Sequence, residues 1–157
     1  MRDKRFIAEH RGGSLKKEQH KQLIIWACQC VENVLPLLEK TIDQRLTKAI
    51  ETAYQWTKGN ASVKDARNAS YETIVMANEL TDPKEIAIVR AVGHAVAAAH
   101  MSDHSIRAAD YALKAVKLAG ISIDNERELQ NKLLSPDIID LVLSTRNEKS
   151  EKVNEKK

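Results

Sequence analysis

The chain is short of the residues that mark most small-protein classes. Among 157 residues there are two cysteines, five glycines and three prolines. Two cysteines cannot frame a disulfide scaffold, and Cys28 and Cys30 stand at C-x-C spacing, which is neither the C-x-x-C redox pattern nor half of a zinc site. Both are expected as reduced thiols in packing or surface positions. So little glycine and proline, beside plentiful alanine, leucine, glutamate and lysine, favours helix. No run approaches the roughly 20 apolar residues that cross a bilayer, and the opening MRDKRFIAEHRGG lacks the apolar centre of a secretory signal. A cytoplasmic protein without a membrane partner is therefore expected. The catalytic patterns G-x-S-x-G, G-x-x-x-x-G-K and H-E-x-x-H are missing as well, which removes the usual signatures of a hydrolase nucleophile, a phosphate loop and a zinc helix.

What remains is 43% apolar and 30% charged, the make-up of a soluble domain large enough to bury a core unaided. The formal charge is +3, but it is unevenly placed. Residues 1–21 carry seven basic and three acidic groups and residues 146–157 carry five and three, leaving 13 basic and 16 acidic groups for the body between them. A nucleic-acid interface needs its Lys and Arg clustered on folded structure. Here the excess is terminal, so nucleic acid is not an expected partner.

Residues 1–14 read as a basic N-terminal arm broken at Gly12-Gly13. A first helix follows from about Lys17, with Leu23, Trp26, Ala27, Cys30 and Val34 on one stripe, and Pro36 predicts a kink or stop near Val34. A second spans about Asp43 to Thr57, closed by Gly59-Asn60. The third, about Ser62 to Leu80, has a weaker stripe of Ala66, Ala69, Ile74 and Ala77. TDPKE then restarts the chain, with Asp82 as N-cap, Pro83 at the first helical position and Glu85 placed for a capping box. The helix from Pro83 to about His100 is rich in alanine and contains Gly93, which lets a neighbour approach closely and makes this helix the expected centre. A fifth helix, capped by Ser102 or Asp103, runs to Gly120; a sixth, capped by Asp124, runs through Leu134; Ser135-Pro136 opens a short last one. Residues 144–157 read as a disordered charged tail. The expected fold class is all-α: a single-domain bundle, residues 15–143, of about six or seven helices packed mostly antiparallel. Its alanine-rich faces could support a homo-oligomer.

The stretch GHAVAAAHMSDHS, residues 93–105, holds three of the five histidines in the chain. His100 and His104 would share a face of an unbroken helix, with Asp103 beside them, yet a helix junction is expected between them and further zinc ligands are missing. The order Asp103-His104 is the reverse of a His-Asp metal dyad. General acid-base work by His94 or His100 with Asp103 or Asp110 has the right groups, since imidazole titrates near neutrality. Set against this are two plainer readings: that His94 and His100 satisfy polar partners such as Asp110 or Tyr111, and that Asp103, His104 and Arg107 lie exposed at the junction and meet a protein partner. His20 joins His94, His100, Asp103, His104, Arg107, Asp110 and Tyr111 as a candidate functional or structural polar cluster. No catalytic, cofactor or metal role is assigned to them; the alternative reading is a metal-dependent hydrolase using the His94–His104 region. Trp26 and Trp56 lie on apolar stripes and are expected in the core.

The segments RFIAEHRGGSLKKEQHKQLIIWACQCVENVLPLLE (5–39), RLTKAIETAYQW (45–56) and AVGHAVAAAHMSDHSIRAADYALKAV (91–116) together resemble the immunity-five-like family of bacterial polymorphic toxin systems. The likeness runs over residues 4–119 and rests on Arg11-Gly12-Gly13, His20, Trp26, Cys30, Val34-Leu35-Pro36, Arg45, Trp56 and the block His94, His100, Asp103, His104, Tyr111. The helices after Gly120 have no counterpart in it. The resemblance implies an all-helical protein that binds a toxin domain and neutralises it by occlusion, without chemistry of its own.

Overall fold

The computed structural model describes residues 2–155, with side chains through Lys152. Seven α-helices follow one another: α1 Lys17–Val34, α2 Gln44–Thr57, α3 Val63–Glu79, α4 Pro83–Ala97, α5 His104–Leu118, α6 Ile123–Lys132 and α7 Ile139–Glu155. There is no strand among the described residues, and the all-α bundle is the observed architecture.

Local chemistry sets most of the boundaries. α1 ends at Val34 because Pro36 brings no amide donor, and residues Leu35–Leu38 form a 3-10 turn that Glu39 closes in left-handed geometry at φ 56°. Asp43 caps α2 by accepting from the Arg45 amide, and Asp82 caps α4 by accepting from Lys84. Ser62 and Asp65 close a reciprocal capping box on α3. Three expected caps differ. Glu85 reaches Lys40 at 2.7 Å instead of completing a box. Neither Ser102 nor Asp103 caps α5: the Ser102 hydroxyl donates to the Phe6 carbonyl, and Asp103 pairs with Arg2. α6 is capped by Ser122, not Asp124.

α4 is the central helix, packed against α1, α2, α3 and α5. At Gly93 it lies close against α3. A β-carbon at Gly93 would fall inside van der Waals contact of Thr73 Oγ1 and 3.4 Å from Thr73 Cβ, so a larger residue cannot sit there without moving α3. This also corrects the reading of α3. Thr73 is 2% exposed and faces the core, whereas Ile74, expected inward, is 55% exposed. The buried stripe is Ala66, Ala69, Thr73, Met76 and Ala77, with the smaller Thr73 where α4 comes near at Gly93.

α1 is buried on two sides. Ile24, Ala27, Cys28 and Val31 enter the main core shared with α2–α5. Leu23, Trp26 and Cys30 enter a second core with Phe6, Leu15, Ile106, Leu134, Ile138 and Val142. Both cysteines are free and buried, and burial pushes their thiols well above the usual range. One segment expected outside the domain helps to build this second core, and another packs beside it. The N-terminal arm folds back as 3-10 turns at Lys4–Phe6 and Glu9–Arg11, bridges Ala8 to Leu15 and buries Phe6. The tail expected to be disordered from Ser144 continues as α7 to Glu155. The reason is in its polar residues. Arg146 donates to Gln130 Oε1 at 2.6 Å and Asn131 Oδ1 at 2.8 Å and lies over the Trp26 ring, while Glu148 meets Arg5 and Lys149 meets Asp110. Residues 156 and 157 of the expected tail lie outside the described residues.

Candidate functional site

α4 stops at Ala97, and six residues turn the chain into α5 at His104. That turn separates the histidines. His94 and His104 meet on one side of it: their Nδ1 atoms are 2.8 Å apart, and the rings lie 5.0 Å apart in a near-parallel stack. A hydrogen bond between two ring nitrogens needs one donor and one acceptor, so at least one of the two imidazoles is neutral. Tyr111, two turns along α5, stacks on the other face of His94 at 5.2 Å. Burial, followed by the charges of His104, Arg107 and Arg90, pushes the His94 pKa down to about 4. His104 is also lowered, burial outweighing the upward pull of Asp103. The pair lines a hollow of about 130 Å³ with Ser70, Thr73, Ile74, Arg90, Gly93 and Ala97.

His20 and His100 lie on the other side. His20 donates from Nε2 to the Ala98 carbonyl at 2.6 Å and packs 4.6 Å from the Trp56 ring. Its pKa is lowered, chiefly by burial. His100 accepts from Arg67 Nη2, which lies 3.0 Å from each ring nitrogen, and its pKa is lowered by burial and then by Arg67, Arg11 and Arg2. Both histidines line a second hollow, of about 140 Å³, with Arg2, His10, Arg11, Trp56 and Ser102.

The candidate cluster is thus two groups. His94, His104 and Tyr111 come together; His20 and His100 come together elsewhere. Asp103 serves Arg2 at 3.3 Å, Arg107 is exposed near Asp3 and Glu148, and Asp110 pairs with Lys149 instead of a histidine. The His100/His104 face of the alternative hydrolase reading is divided by the turn. Among the described residues no three of His, Cys, Asp or Glu gather as a metal-ligand group. Trp26 is buried as expected and donates to the Gln130 carbonyl at 2.8 Å; Trp56 is only half-buried and forms a wall of the second hollow.

Sequence reasoning missed Arg2 and Arg67, which lie far from the histidine stretch along the chain, and the exposed aromatic and apolar residues of α3. Tyr71 is 66% and Ile74 55% exposed on α3. Their i, i+3 spacing is the available signal, but Ile74 alone reads as part of the buried stripe.

These features, a rigid helical body carrying an exposed aromatic, apolar and cationic face, can be set against known proteins. The family described as Imm-5 like putative immunity protein matches residues 13–137. The chain belongs to this family. Comparison with curated proteins and with solved structures returns no match. The Imm-5 like match continues through α6, beyond the limit of the resemblance at residue 119, and begins after the N-terminal 3-10 turns. It therefore includes every helix that presents the two hollows, while Arg2, His10 and Arg11 lie ahead of it.

Proposed function

We propose that this Imm-5 like protein binds a cognate toxin domain in the bacterial cytoplasm and neutralises it by occlusion, with no chemistry of its own. The observation that carries the reading is membership of an immunity-protein family over residues 13–137. The contact surface is the face formed by α3, α4 and α5. Ile74 stands exposed at the edge of the His94–His104 hollow, with Tyr71 exposed on the same helix; Arg90 and His94 line the hollow, and Arg107 and Tyr111 follow on α5. Apolar and aromatic residues with arginine suit the centre of a protein interface, where they are desolvated together. The charges around them set the speed and selectivity of association more than its strength.

The test is bacterial survival when the co-encoded toxin domain is expressed with this protein, together with capture of the complex by size-exclusion chromatography. The parent protects and co-elutes with the toxin. Ile74→Asp, at an exposed position, loses both while keeping its helical circular dichroism. Protection undiminished in Ile74→Asp moves the interface to another face. Absence of both protection and complex with the parent sinks the immunity reading.

A further inference from the structure

We infer that the hollow between the N-terminal turns, α1 and the α4–α5 turn is an oxyanion site, sized for one carboxylate or one tetrahedral anion. The inference does not depend on which toxin the protein binds. Arg2, His10, Arg11, His20 and His100 line the hollow, and Arg67 backs His100. The cations there are poorly compensated. Asp103 pairs with Arg2, but neither Arg11 nor Arg67 forms an ion pair among the described residues. Arg67 instead donates to a neutral imidazole, which leaves its charge unopposed. Arg2 Nε is buried without a hydrogen-bond partner among the described residues, a state that costs free energy until an acceptor arrives.

Concave walls of low polarity focus such a field, and here Trp56, Phe6 and Ala99 provide them. A volume of about 140 Å³ admits a group of a few heavy atoms; it is well short of the roughly 300 Å³ at which pockets for whole metabolites begin. Several arginines at one site also exclude a metal cation and favour planar or tetrahedral oxyanions, which their forked donors match.

Anion binding here takes up protons. The charged and titratable groups lining the hollow are Arg2, His10 and Arg11 from the N-terminal segment, His20 from α1 and His100 from the α4–α5 turn, with Arg67 of α3 held on His100 and Asp103 on Arg2; α2 contributes uncharged Trp56. Nearby arginines hold His20 and His100 toward their neutral forms in addition to burial. An oxyanion opposes those charges, so protonation of the two rings becomes easier and the anion binds more tightly as pH falls.

The experiment is a titration of the full chain with sodium sulfate and, separately, sodium acetate at constant ionic strength, at about pH 6 and about pH 8 to bracket the ordinary imidazole pKa. Histidine Hε1 resonances are followed by NMR. Saturable shifts are expected at His20 and His100 but not at His94, with tighter binding at the lower pH. Arg11→Gln, an exposed turn position, should weaken binding about tenfold, whereas Lys132→Gln on α6 should not. Preference for sulfate assigns a tetrahedral group such as a phosphoryl; preference for acetate assigns an acidic side chain of a partner. Shifts that rise linearly with either salt, or equal weakening in Arg11→Gln and Lys132→Gln, overturn the site.

Discussion

Replacing Gly93 by alanine should destabilise the protein, although it puts a better helix former into a helix interior. The new methyl falls against Thr73 Oγ1, with Thr73 Cβ 3.4 Å behind it. Thr73 is 2% exposed, and its hydroxyl donates to the Ser70 carbonyl at 2.6 Å. Turning the side chain away breaks that bond inside a packed interface. Removing glycine from a helix interior gains about 1 kcal/mol, while forcing a methyl into a filled core costs about 1–3 kcal/mol. A net loss of about 1 kcal/mol is expected. Thr73→Ala alone should also cost about 1 kcal/mol, through a lost methyl and hydrogen bond. In Gly93→Ala/Thr73→Ala the added methyl occupies the space Thr73 vacates, and the helix-propensity gain is realised. The double variant should therefore be at least as stable as Thr73→Ala, a coupling of about 1–2 kcal/mol. Urea denaturation followed by far-UV circular dichroism measures all four proteins. A Gly93→Ala protein as stable as the parent, or an additive cycle, would refute the close α3–α4 approach.

Two further outcomes follow from the same contacts. His94 titrates near 6.5 when unfolded and at about 4 when folded, burial being the main cause, so the unfolded chain binds more protons between those values. Its contribution to stability is complete above about pH 6.5 and is lost as pH falls toward 4. The full shift corresponds to about 3 kcal/mol, reduced to about 1 kcal/mol because the site is partly wet. His94→Gln should flatten this acid limb, and an unchanged limb in the variant refutes the assignment. Arg146→Ala should cost about 2–4 kcal/mol by leaving Gln130 Oε1 and Asn131 Oδ1 without their donor; denaturation within about 0.5 kcal/mol of the parent, the usual range of a surface change, would remove α7 beyond Ser144 from the fold.

Helix order was legible because its signals are local. Pro36, Asp43, Gly59, Ser62 and the Asp82-Pro83 pair each act on their own turn of backbone, and α1–α4 begin and end within a few residues of where those signals place them. The misread parts depend on distant partners. A run of charges after Ser144 has the composition of a solvated tail, and only the fold brings Arg146 to Gln130 and Trp26. Residues 1–14 look like an arm until Phe6 finds the second core. In α3 the expected stripe holds at Ala66, Ala69 and Ala77, but Thr73 replaces Ile74 in it, since Thr73 is the residue that meets Gly93.

The histidine stretch shows the same dependence at the level of function. Adjacency in GHAVAAAHMSDHS suggests one site, yet the turn between α4 and α5 faces its histidines toward different neighbours. That turn is held partly from outside the family match, where Ser102 donates to the Phe6 carbonyl and Arg2 meets Asp103, and partly from within it, where His20 of α1 donates to the Ala98 carbonyl. The N-terminal turns therefore fasten the segment that orients both His100 and His104. They also supply Arg2, His10 and Arg11 to the second hollow. One face offers apolar and aromatic groups around a neutral imidazole pair and the other concentrates uncompensated positive charge, so the two suit different contacts. A partner engaging the first is recognised by desolvation of Tyr71 and Ile74 and is little affected by salt. A group entering the second is recognised by charge, and its binding weakens as salt screens the arginines.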